Sequence, residues 1–169
     1  MRAQDSQPRP PTGAARVDYS GAVYGSLLAA SVVVGAGTLG SYPRLELVVL
    51  LLGTAVVFWA AHVFSRLFGA RMVHQPVSRE EVRRVGADER PILEAAVPPA
   101  GAVVISPLFG LGLQGTAWLA LTVALAGQVG WATLAAVRAG ASRRLILVAG
   151  AVNLLLGLVI VVFKVALQH

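Results

Sequence analysis

The chain has 169 residues, 56% of them hydrophobic and only 13% charged, with a net charge of +6. Soluble globular domains carry about a quarter charged residues, so this composition excludes an ordinary soluble domain. The absence of cysteine removes disulfides, thiol catalysis and thiolate metal sites. The apolar residues come in blocks of about 20, the length that crosses a bilayer core.

Residues 1–18 hold Pro and Arg but almost no large apolar side chain, too little to offset the entropy of ordering, and they read as a disordered cytoplasmic tail. Residues 19–169 read as a single all-α membrane domain of five transmembrane helices. The expected spans are 19–39, 45–68, 91–111, 116–137 and 145–167. Pro43 marks the turn after the first span. Between the second and third spans lies a basic loop, 69–90, carrying Arg71, Arg79, Arg83, Arg84 and Arg90. Within it, Ser78 and Glu81 have the spacing of a capping box and predict a short charged helix.

The positive charges fix an expected orientation. With the N-terminus in the cytoplasm, twelve arginines fall inside, and only Arg44 and Lys164 fall outside. Making the proline-rich third block a re-entrant hairpin weakens this to nine against five, so five full spans, N-terminus in and C-terminus out, are preferred. The basic loop then faces the anionic inner leaflet of the plasma membrane rather than nucleic acid.

Ionisable and amide side chains inside apolar spans are the residues lipid disfavours. His62, Glu94, Gln128 and Asn153 lie on four different spans, all in the cytoplasmic half. His62 and Glu94 fall at similar depth, so a hydrogen bond between them is geometrically feasible. In the third span Pro98, Pro99 and Pro107 donate no backbone hydrogen bond and leave the carbonyls of Glu94, Ala95 and Val103 without their usual partners. This predicts a kinked helix lining a small polar cavity, with Glu94 at its mouth and Gln128 and Asn153 deeper. In the last span Gly150, Asn153, Gly157 and Lys164 recur at helical spacing and should face the bundle, with Lys164 reaching the outer interface. Gly21 and Gly25 form a GxxxG pair suited to close helix packing.

Each of these features also has a plain structural role. Gln and Asn join helices, and Glu94 suits the positive end of a helix dipole. The sequence contains no nucleophile elbow, no phosphate-binding loop and no zinc-protease motif. His62, His74 and His169 are too scattered for a metal site. No enzyme activity, cofactor or metal is therefore expected.

The runs FWAAHVFSRLFG, PILEAAVPPA, GQVGWA and VNLLLGLVIVVFKVALQH resemble a group of small five-span bacterial membrane proteins without assigned activity. That resemblance implies His62, Glu94, Gln128, Asn153 and Lys164 as pattern-bearing positions. Two functions stay open. One is a non-catalytic scaffold or accessory subunit, self-associating or held by a membrane partner. The other is a small transporter, channel or transport subunit that uses the polar inner-half residues for protons or a small solute.

Overall fold

A computed structural model describes residues 19–36, 43–72 and 78–167, with the side chains of 70–72 and 167 excepted. The tail at 1–18, His74, His169 and the Arg71 side chain lie outside the described residues. Among those residues the chain is all-α. The helices are α1 (Ser20–Gly35), α2 (Pro43–Met72), α3 (Arg79–Asp88), α4 (Arg90–Ile105), α5 (Leu113–Arg138) and α6 (Arg143–Leu167), with a single 3-10 turn, Ser106–Phe109, after α4.

Four of these segments are long and apolar enough to cross a membrane: α2, α4 with its 3-10 turn, α5 and α6. The first helix is apolar but has 16 residues, about 24 Å at the α-helical rise, against a hydrocarbon core of about 30 Å. The described residues thus give four long candidate spans and one shorter apolar helix.

Local chemistry sets the helix ends. Pro43 opens α2, where its missing N–H is not needed. The Ser78 hydroxyl accepts the Glu81 backbone N–H at 3.1 Å, giving the cap its spacing predicts. It starts a ten-residue helix. The Glu81 carboxylate pairs with Arg84 at 2.7 Å on the exposed surface and holds that guanidinium above its ordinary pKa. Gly110 closes the 3-10 turn at φ 64°, left-handed backbone that favours glycine.

The shorter helix is central. It packs on α4 and α5, and also touches α2 and α6. Its Ala22, Gly25, Ser26, Ala29, Ala30 and Val33 are buried, and the core continues into Leu47, Leu51, Ala100, Val103 and Leu121. The approach to α4 is closest at Gly25, where an added Cβ would lie 2.8 Å from the Ile92 carbonyl oxygen and 3.0 Å from the Ala95 Cβ. At Gly21 it would meet the Ile92 side chain at 3.3 Å. The GxxxG pair therefore faces another helix of the same chain.

The outward faces are apolar. On α6, Leu147 is 72% exposed and Leu154 65%, while the buried positions of that helix are Gly157 and Lys164. Large apolar side chains exposed along whole helices fit lipid rather than water as the solvent.

Pro98 and Pro99 lie inside α4, and the helix changes character only at Pro107, where it tightens into the 3-10 turn. The carbonyl that Pro107 leaves free is satisfied from within: the Ser106 hydroxyl donates to the Val103 oxygen at 2.8 Å, and Thr116 donates in turn to Ser106 at 2.8 Å. Ser106 and Thr116 are both buried, and together they fasten the turn to the start of α5.

Replacing Gly25 with Ala is expected to destabilise the bundle by about 1–3 kcal/mol through overpacking. Gly101, whose added Cβ meets nothing within 4 Å, should accept Ala with a gain of up to about 1 kcal/mol from helix propensity. Thermal unfolding of the two variants in the same detergent checks this contrast.

Candidate functional site

Contacts along the helices define two ends of the bundle. Tyr24 meets His62, Tyr19 meets Trp131 and Gly21 faces Ile92, so the start of α1, the end of α2, the start of α4 and the end of α5 share one end with α3. Arg44, Leu111 and Lys164 belong to the other.

At the α3 end one face of α2 holds the corner between α3 and α4. Trp59, His62 and Arg66 follow one another at helical spacing. The Trp59 indole N–H donates to the Gly86 carbonyl at 2.9 Å, and Arg66 pairs with Glu89 at 2.8 Å. Between these two ties, His62, Asp88 and Glu89 join Ser20, Gly21 and Tyr24 around a polar cavity of about 210 Å³.

The geometry of His62 fixes its tautomer. Its Nδ1 lies 3.0 Å from the Phe58 carbonyl oxygen, which can only accept, so Nδ1 carries the proton and the neutral ring keeps its lone pair on Nε2. The ring is tilted against Tyr24 with centroids 5.2 Å apart, and Tyr24 also meets Phe58 edge-on at 6.1 Å.

The four intramembrane polar residues do not form one cluster. Glu94 is exposed, on the face of α4 turned away from the bundle, and no hydrogen bond joins it to His62 among the described residues. The polar cavity at this end is bounded by α1, α2 and the α3–α4 corner, and Glu94, Gln128 and Asn153 are not among its lining residues.

Gln128 and Asn153 do come together. Gln128 is fully buried, and its amide nitrogen lies 3.1 Å from both the side-chain oxygen and the backbone oxygen of Asn153. The Asn153 amide donates to the Ala149 carbonyl of its own helix at 2.9 Å. The Gln128 Oε1 is buried without a hydrogen-bond partner among the described residues. Gly157 faces Leu125 closely, with an added Cβ 3.0 Å from its Cδ2, whereas Gly150 meets Thr133 at an ordinary 3.8 Å.

Lys164 lies in the last turn of α6, at the end opposite α3. Its side chain is buried, with the ammonium 5.5 Å from the Trp118 ring centroid, a cation–π contact between α5 and α6. Nearby in chain direction, Arg44 donates to the Leu111 carbonyl at 2.6 Å, tying the start of α2 to the segment before α5. Back at the α3 end, the Tyr19 ring stacks on Trp131 at 5.7 Å and Arg138 donates to its hydroxyl.

Tyr24, Asp88 and Glu89 carry no sequence signal of their own. Asp88 and Glu89 sit in a charged stretch that reads as a solvated surface, and Tyr24 sits in an apolar span. The one usable sign was the spacing of Trp59, His62 and Arg66 on α2. Among the described residues no three His, Asp or Glu side chains come together in a way suited to a metal ion. No protein-family model, curated protein or solved structure matches the chain.

Trp59→Phe removes the indole donor to Gly86 while keeping an aromatic ring. The expected cost is about 0.5–1.5 kcal/mol, felt locally as faster amide exchange and easier cleavage at the arginines of α3. Unchanged exchange across 79–88 would show that this bond does not hold the helix.

Proposed function

We propose that the chain is a multi-pass protein of the bacterial plasma membrane, a non-catalytic scaffold or accessory subunit with five spans. Its N-terminus and α3 lie in the cytoplasm and its C-terminus outside. The observation that carries this reading is the Gln128–Asn153 pair. The Gln128 amide nitrogen is spent on Asn153 and the Asn153 amide nitrogen on backbone, joining α5 to α6 as interhelical glue worth about 0.6–2 kcal/mol, while the Gln128 Oε1 is left without a partner among the described residues. Glu94, the residue a proton path would need at its mouth, faces away from the bundle.

The distribution of charge supports the orientation. Arg79, Arg83, Arg84 and Arg90 are all exposed on or beside α3, where they can meet an anionic inner leaflet or an acidic partner. The alternative, a small transporter or channel, draws on the polar cavity beside His62. Its lining residues belong to the α3 end, and neither Gln128 nor Asn153 is among them.

Vesicles carrying the purified protein are expected to show the same proton flux as empty vesicles. Glu94→Gln and His62→Ala should leave that flux unchanged. Flux above background that either substitution abolishes would overturn the scaffold reading in favour of transport.

A further inference from the structure

The cavity at the α3 end has a chemistry that the packing of helices does not use. Its walls offer mainly acceptors. Asp88 contributes a carboxylate with no hydrogen bond or ion pair among the described residues, felt by the Arg84 guanidinium only through space, and Glu89 is held through Oε1 by Arg66 at 2.8 Å. With Nδ1 committed to the Phe58 carbonyl, His62 has its Nε2 left for other partners. Tyr24 adds a hydroxyl and an aromatic ring, and such rings attract cations electrostatically.

A ligand for these walls must be a cation that donates hydrogen bonds. Among the described residues neither lysine nor arginine lines the cavity, and two carboxylates do, which disfavours an anion there. A metal ion is also a poor fit, since the described carboxylates and imidazole do not converge in a group of three. A volume of about 210 Å³ accommodates a headgroup-sized molecule. A primary ammonium matches the lining: it brings one positive charge for the two carboxylates and N–H donors for acceptors among the side chains of Asp88, His62 and Tyr24.

We propose that the cavity formed by Tyr24, His62, Asp88 and Glu89 binds a small primary ammonium group. Two sources share that chemistry: a soluble amine and the headgroup of an aminophospholipid. This site goes beyond the scaffold reading, because it would make the bundle responsive to a ligand or to the lipid around it. It also stands apart from the proton-flux test, since binding can be measured whether or not anything is transported.

The experiment titrates the full-length protein with ethanolammonium, reconstituted in discs of phosphatidylglycerol alone and followed by calorimetry. Saturable millimolar binding is expected, about tenfold weaker in Asp88→Asn and absent in Asp88→Lys, which places its own ammonium at the site. Asp88 is exposed, so both variants should fold, and unchanged thermal unfolding verifies this. Glu94→Gln should bind like the parent.

Discs containing phosphatidylethanolamine separate the sources. Suppressed ethanolammonium binding there identifies the lipid headgroup, and unchanged binding identifies a soluble amine; either supports an ammonium site. No saturable binding in phosphatidylglycerol discs, equal affinity for the parent and Asp88→Asn, or equal binding of tetramethylammonium or magnesium would each overturn the proposal.

Discussion

At Gly25, α1 and α4 come together so closely that one added carbon would sit 2.8 Å from the Ile92 carbonyl oxygen. In lipid, association between helices draws little from the hydrophobic effect, because the tails are as apolar as the side chains, and close van der Waals contact takes its place. Small residues make that contact available. With Gly25, Ala22, Ala29 and Ala30 on its buried side, α1 can lie among α4, α5 and α2, and the longer helices gather around it. A helix of only 16 residues is in this way the one the others are arranged on.

The second constraint is that polar groups away from water must be answered from within the protein. The Val103 carbonyl released by Pro107 takes the Ser106 hydroxyl, Ser26 returns its hydroxyl to Ala22, and Gln128 turns to Asn153. The first two are complete local closures, while the third leaves the Gln128 Oε1 without a partner among the described residues. The α3 end is different. There Tyr24, His62, Asp88 and Glu89 line a polar cavity, and the bundle shows polar chemistry to its surroundings. The molecule separates into a largely apolar middle and a polar end.

Much of the architecture could be read from the sequence because membrane helices announce themselves by length and apolarity. The blocks at 45–68, 116–137 and 145–167 fall within α2, α5 and α6, and the Ser78–Glu81 spacing marks the start of α3. The extent of α1 could not be read, since an apolar run does not say where its helix stops. Depth alone suggested a pairing of His62 with Glu94, but rotation about the helix axis decides contact. On α4, Glu94 points outward while its neighbours Ala95 and Ala96 point in. The same difficulty hid the cavity, whose residues come from three separate stretches of chain and are joined only when α3 folds back onto α2.

The most direct test uses the fact that the natural chain has no cysteine. Single cysteines at positions 88 and 128 can be probed with a membrane-impermeant thiol reagent in intact cells and in inside-out membranes, with no background from the protein itself. Position 88 should react only in inside-out membranes, and position 128 should react in neither until the protein is unfolded. Ready labelling at 128 would mean that water reaches the Gln128–Asn153 pair, and the closed, non-transporting core would be contradicted.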